Sequence, residues 1–471
     1  MILAVSVIAY VLIMLPIGLY ARKKIATSQD YVLAGRSLPF YMALATVFAT
    51  WFGSESIMGA GAAFAESGFR GVLEDPFGAG LCLIIAGLFF NRKLYRLNFL
   101  TIGDYYKHRY NTLVATFLSI VIIVSYFGWV AAQFLALGLV LSSVIPGLSL
   151  MWAILISATL VVGYTFRGGM YSIAVLDTIE MVVIIFGLIV VLGYAIYNIG
   201  GIDVLFAITP DNFFSVLPEQ KGSLTEWILF ATAIMTMGFG SIPQQDIYQR
   251  AMSAKSENVS AWASILGGIL YITIVMIPLA IAAIARYFYP DVLQNNPEQL
   301  IMTLVMDHTP IIIQILFFGA LVSAIISTAS GALLAPGTLL AENVVKPFFK
   351  DIHDKLRLSI IRVAVLVVAF GAVLLSLSDD ARIYELVGEA YSVTLVAAFV
   401  PLVVGLYSKK ANAFGALWSI LLGIGTWQYW DHFVTSDIPS VFIGFVASWV
   451  GMFLGTLAGK FIQKEETLMT K

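Results

Sequence analysis

Thirteen apolar runs, each close to 20 residues or longer, divide this chain, near 2–20, 40–65, 72–91, 113–143, 150–165, 172–199, 225–247, 259–285, 310–343, 358–378, 384–406, 413–430 and 439–460. A run of about 20 apolar residues is what a helix needs to cross a bilayer. Only a helix or a closed barrel satisfies its backbone polar groups without water, and runs this long and unalternating are helical. Of 471 residues 60% are hydrophobic and 11% charged, far from the roughly one-quarter charged residues of a soluble domain. The expectation is an all-α integral membrane protein with 13 transmembrane helices. No loop between the runs is long enough for a soluble domain, so residues 1–471 read as a single membrane domain.

Composition also excludes several classes. Net charge is −2 without long runs of one sign, which gives no nucleic-acid surface. Cys82 is the only cysteine, and His108, His308, His353 and His432 stand at no ligand spacing with it or with one another. Disulfides are therefore excluded, and neither a structural metal centre nor an organic cofactor is expected. No cluster of His, Cys and carboxylate, and no nucleophile beside a base, suggests an enzyme.

An odd number of spans puts the termini on opposite sides. With the amino terminus outside, 22 of the 26 Lys and Arg fall on the inner side, notably Arg22-Lys23-Lys24, Arg92-Lys93, Lys107 to Arg109, the stretch from Lys346 to Arg362 and Lys409-Lys410. Arg70, Lys221, Arg286 and Arg382 remain outside. Basic residues near span ends resist translocation, so the plasma (inner) membrane with a cytoplasmic carboxyl terminus is the expected setting. The run from Met1 to Tyr20 has neither a basic leader nor a small-residue cleavage site and reads as an uncleaved first span.

Two spans are interrupted by polar and helix-breaking residues. The second carries Gly53-Ser54-Glu55-Ser56 and the seventh carries Gly238-Phe239-Gly240-Ser241-Ile242-Pro243-Gln244-Gln245. They lie five spans apart and so cross in opposite directions, as the first helices of two inverted halves would. A broken helix frees amides and carbonyls at a depth without water, which suits a ligand or ion site between the halves. The competing reading is a kink or close packing at glycine and proline.

Further polar residues sit in apolar surroundings. Ser323 to Gly331 is a small, hydroxyl-rich stretch in which 324, 327, 328 and 331 share one helical face. Ser327, Thr328 and the Ala324 carbonyl would give sodium three of its five or six oxygens, with carbonyls of the broken second span supplying others. Alternatively each hydroxyl bonds the carbonyl one turn back. Asp177 at the start of the sixth span offers either a cation or proton site or a helix-dipole complement. Glu389 is a candidate for a polar pathway. Trp51 and Trp129 lie inside spans, where they either cover a substrate cation or pack ordinarily.

Taken with Thr50-Trp51-Phe52-Gly53, Thr101 to Tyr105, Arg109-Tyr110, Arg167 to Ala174 through Asp177, Ile242-Pro243-Gln244 and Tyr248-Gln249-Arg250, these residues resemble the sodium/solute symporter family. Several segments look most like its high-affinity choline transporter branch. The resemblance runs from about Tyr31 to Ala413. It implies a leucine-transporter-like 5+5 inverted-repeat core, with 2–20 as an extra N-terminal helix, 40–199 and 225–406 as the two repeats and 413–460 as two C-terminal helices. It implies a sodium site made by Ala49, Phe52, Ala324, Ser327 and Thr328. A second cation site in some relatives matches Asp177 and Ser330 here, although Gly331 replaces an expected side-chain ligand. Choline-transporting relatives box the ammonium in aromatic rings; Trp51 and Trp129 match two walls, while Ala79 and Gln244 stand at the other two.

The function this implies is sodium-coupled symport of a small polar organic solute, an amine, amino acid or choline-like molecule, by alternating access. Trp51, Ser54, Glu55, Ser56, Trp129, Gln133 and Gln244 would line its cavity, with sodium as coupling ion. Partners are limited to solute, sodium and membrane lipid, in a monomer or weak oligomer. The alternatives are a transporter-like sensor signalling through a separate partner, a channel, and proton coupling through Asp177 or Glu55.

Overall fold

Apolar side chains cover the outside of the molecule, Val182, Phe186, Ile312, Phe370 and Phe453 among the most exposed, while serines, threonines, glutamines and carboxylates are buried. That inversion of a soluble protein's surface is what lipid requires of a polytopic chain. The computed structural model describes residues 2–21, 27–349, 353–378 and 382–469, and every regular element among them is a helix. Arg22-Lys23-Lys24 and part of the stretch from Lys346 to Arg362 lie outside the described residues.

Among the described residues eight helices are long and apolar enough to span a membrane, nine if the bent pair Leu224–Gly240 and Gln245–Met252 counts as one. The chain is an integral membrane protein. Of the remaining expected spans, the first is the 20-residue helix Ile2–Ala21, and the others are helical but shorter or more polar. Leu150–Phe166, for instance, is a short apolar helix that continues into Gly168–Ile199. The runs expected at 150–165 and 172–199 are two helices within Leu150–Ile199, parted by a non-helical break at Gly169, whose φ of 61° a side chain would disfavour.

Both anticipated interruptions are present. The Phe40–Phe48 helix stops, residues 49–53 turn, and a π-helical turn at Ser54–Gly59 resumes the span into Ala60–Ser67. The seventh span bends by 52° at its break. A Cβ on Gly240 would stand 2.4 Å from the Tyr391 carbonyl oxygen, so only glycine lets this break lie directly on the Ile383–Thr394 helix. A lone bridge ties the two broken spans together, with Leu38 N donating to Ser253 O at 3.0 Å and Lys255 N to Leu38 O at 2.9 Å.

Around these breaks the Thr112–Val144, Leu150–Ile199, Glu257–Phe288 and Ile311–Leu339 helices pack as an inner bundle. Ala413–Phe433 and Ser440–Met469 pair with each other at its side. Small residues at the contacts permit the approach; a Cβ on Gly268 would meet Gly80 O at 2.5 Å.

Candidate functional site

The turn in the second span abuts the hydroxyl-rich stretch of the Ile311–Leu339 helix. Thr328 Oγ1 donates to Ala49 O at 3.1 Å, and a Cβ on Gly53 would touch Ala324 at 3.6 Å. Ala49, Ala324, Ser327 and Thr328 are therefore brought together, all buried, and Phe52 lies in the same turn. Thr328 reaches out of its own helix. Ser330, two residues on, does not: its hydroxyl donates to Ile326 O at 2.7 Å.

Ser327 Oγ donates to Asp177 Oδ1 at 2.5 Å, while Asp177 Oδ2 accepts from Thr46 and, at 2.7 Å, from Arg250 Nη1. The same nitrogen donates to Thr46 O at 2.6 Å. Asp177 and Arg250 are 0% and 2% exposed at the side chain, so this is a buried ion pair. Arg250, counted among the 22 inner-side basic residues, is thereby moved from a loop to the interior. Its span continues past the break as Gln245–Met252 and carries the guanidinium inside the protein instead of into a loop. A Cβ on Gly331 would stand 2.6 Å from Arg250 Nη2, so the missing side chain at 331 leaves the space the arginine fills. With Asp177 held by Arg250 and Ser330 bonded into its own helix, the second expected cation position has the geometry of an ion pair rather than of an open cage.

On the other side of the break lies a buried polar chamber. Glu55 Oε1 accepts from Trp129 Nε1 and, at 3.0 Å, from Gln133 Nε2, and Ser54 Oγ donates to Gln133 Oε1 at 2.6 Å. Ser56 closes the turn, accepting from Gly53 N and donating to Trp51 O, both at 3.3 Å. Gln244 Nε2 lies 3.3 Å from Ser125 Oγ and 3.4 Å from Thr394 Oγ1, joining the fourth, seventh and eleventh spans. Glu389 is exposed and takes no part in the chamber.

The aromatic enclosure is fuller than two tryptophans. The Trp51 ring lies 6.2 Å from both Tyr271 and Tyr391, and Trp129 lies 6.3 Å from Tyr391 and 5.6 Å from Tyr126. Ala79 and Gln244 do not leave the chamber without aromatic walls, because Tyr271 and Tyr391 arrive from other spans. Sequence reasoning also passed over Asp75, which accepts from Tyr271 Oη at 2.8 Å, and Asp246, which accepts from Tyr126 Oη at 2.5 Å. Two acidic residues within the apolar runs 72–91 and 225–247 were the available signal.

The chamber is covered at one end. Ile383 N donates to Glu298 Oε1 at 2.5 Å, and Arg382 pairs with Glu66 at 3.0 Å and Glu385 at 3.4 Å. Tyr384 lies beneath, lining both the crevice beside these residues and the small cavity at Glu55. Burial pushes the Glu298 carboxyl up to about 7, opposed by the Ile383 N–H and Arg382 and supported by Glu385 and Glu66. A carboxyl so raised stabilises the closed cover while protonated, and loses that contribution as pH rises through about 7. Labelling of an Ala63→Cys reporter, corrected for thiol ionisation, is expected to accelerate between about pH 4.5 and 7 and to level off above, and Glu298→Gln to flatten the profile. An unchanged profile in the variant would assign the effect elsewhere.

The profile describing the sodium:solute symporter family matches residues 31–423. The sodium/pantothenate symporter of Haemophilus influenzae is 28% identical over 451 residues, 90% of each chain. The high-affinity choline transporter 1 of Caenorhabditis elegans is 26% identical over 447 residues, 89% of this chain and 76% of the relative. The sodium/proline symporter of Salmonella typhimurium is 27% identical over 483 residues, 97% and 93% of the two chains. Among solved structures, a sodium-coupled sialic acid symporter in a substrate-bound outward-open state superposes with a TM-score of 0.81 at 20% identity, covering 98% of both chains. A nucleobase-cation-symport-1 transporter in a closed conformation reaches 0.62 at 16% identity, covering 92% and 95%. These two show the fold alone. The chain belongs to the sodium:solute symporter family, whose members are transporters and not enzymes.

Proposed function

We propose that this chain is a sodium-coupled symporter that imports a small polar organic solute by alternating access. The observation that carries the reading is the 3.1 Å contact from Thr328 Oγ1 to Ala49 O, which sets two oxygens of the expected sodium cage side by side across two spans. Ala49, Phe52, Ala324, Ser327 and Thr328 hold the ion, and Trp51, Ser54, Glu55, Trp129, Gln133 and Gln244 enclose the solute, with Ser56 and Gln244 also bracing the breaks. Thirteen spans with the amino terminus outside complete the arrangement, as one transport domain in the plasma (inner) membrane, working without an organic cofactor.

Sodium entering from outside replaces the Thr328 to Ala49 hydrogen bond with ion contacts and fixes the turn on which Trp51 and Glu55 stand. Solute then meets a formed chamber, and the core rocks inward. Each sodium moving inward contributes about 2.3 kcal/mol per 100 mV, which supports roughly fifty-fold accumulation from voltage alone. In proteoliposomes, an imposed sodium gradient is expected to drive saturable uptake of one member of a panel containing choline, betaine, proline, pantothenate and small amines. Uptake that only equilibrates would point to a channel, and uptake driven equally by a proton gradient would replace sodium as the coupling ion.

A further inference from the structure

The chamber carries more carboxyl groups than a neutral solute would need. Glu55, Glu74 and Asp75 line one small cavity together with Met237, Tyr384 and Val387. Glu55 and Asp75 are only 2% and 3% exposed, and Glu55 Oε2 and Asp75 Oδ2 make no hydrogen bond among the described residues. Past Trp129 and Tyr126 lies a second acidic pole at Asp246, 3% exposed, with Oδ2 equally unpartnered and Gln244 Oε1 beside it in the same condition. Buried carboxylate oxygens without donors are costly, so each marks a place where a donor is wanted.

Protein cations meet that need only in part. Arg250 is the only fully buried basic side chain among the described residues; its Nη1 is committed to Asp177 and Thr46, and its unpartnered Nη2 makes no hydrogen bond to Glu55, Asp75 or Asp246. Between the poles the lining is aromatic: Trp51, Tyr391 and Trp129 follow one another at 6.2 and 6.3 Å between ring centres. Their faces suit an aliphatic chain and the cationic groups at its ends. A quaternary ammonium would satisfy the rings but has no N–H to give Glu55 Oε2, Asp75 Oδ2 or Asp246 Oδ2.

We propose that the solute is an aliphatic dication with N–H donors at both ends, an α,ω-diamine. One ammonium lies against Glu55 and Asp75, the methylenes cross Trp51, Tyr391 and Trp129, and the other ammonium faces Asp246. Glu74, half-buried at the cavity edge beneath Tyr384, receives the first ammonium on entry. This assignment deepens the symporter reading and rests on it only for the role of sodium.

The test is calorimetric titration of the purified full chain, with and without sodium, using putrescine, n-butylamine, choline and proline. Putrescine is expected to bind in sodium at least tenfold more tightly than n-butylamine or choline. Glu55→Gln and Asp246→Asn are each expected to bring putrescine down to the n-butylamine level. The comparison among ligands on the unaltered protein needs no variant to fold. Equal affinity for putrescine and n-butylamine, or tighter binding of choline, would overturn the diamine assignment. Sodium-dependent binding of proline or choline without any of putrescine would overturn it while leaving symport intact. Putrescine binding indifferent to sodium would uphold the diamine and remove the symporter reading instead.

Discussion

Arg250→Met is expected to cost about 3–5 kcal/mol of stability, because it leaves Asp177 as an uncompensated charge in the protein interior. Arg250 Nη1 donates to Asp177 Oδ2 at 2.7 Å and to Thr46 O at 2.6 Å, so the substitution also strips a donor from the carbonyl of the helix just before the break. Adding Asp177→Asn to the same chain should recover much of the loss. A neutral amide can still accept from Ser327, and removing both charges is far cheaper than removing one. Thermal unfolding in detergent, followed by the recovery of monodisperse protein, reports both steps. The two single variants should each be less stable than the double. If Arg250→Met unfolds at the wild-type temperature, the guanidinium is not the partner that Asp177 requires.

That pair marks where the sequence stopped being legible. The breaks in the second and seventh spans were readable, because glycine, proline, serine and glutamate conflict locally with a helix in lipid. So were Glu55 and Gln133, whose polar groups lie in apolar runs and meet at 3.0 Å. Arg250 instead stands three residues beyond the end set for its span, where a basic residue already has an explanation in topology. Only the bend that redirects Gln245–Met252 shows that it turns back into the protein. Tyr271 and Tyr391 were hidden for another reason. An aromatic residue in an apolar helix gives no sign of which face it occupies until its neighbours are known.

The hydroxyl-rich helix shows the limit most clearly, since identical chemistry on adjacent turns has opposite fates. Ser330 bonds Ile326 O within its own helix, whereas Ser327 donates across to Asp177 and Thr328 to Ala49. Periodicity put 324, 327 and 328 on one face, but both the packing and the ion-binding readings require that face. What the structure adds is the carbonyl of Ala49, left within reach of Thr328 because the Phe40–Phe48 helix ends there. Local pattern identified the two halves of the contact; their meeting depends on tertiary structure.

Ser327→Ala is therefore expected to raise the half-saturating sodium concentration by roughly tenfold to a hundredfold, the equivalent of one lost contact to a charged group at about 1.5–3 kcal/mol. Thr328→Ala should act in the same direction. Ser330→Ala is the control: its hydroxyl faces a carbonyl of its own helix at 2.7 Å, so sodium dependence should change by less than about twofold. At saturating sodium, solute selectivity in both Ser327→Ala and Thr328→Ala should match the unaltered protein, because Trp129, Gln133 and Glu55 stand on other spans and keep their contacts. Uptake measured against sodium concentration at fixed voltage separates these outcomes. Equal sodium curves for Ser327→Ala and wild type would remove Ser327 from the ion site. A large effect of Ser330→Ala would shift that site one turn along the helix, toward Arg250, where a resident guanidinium already competes with any ion for Asp177.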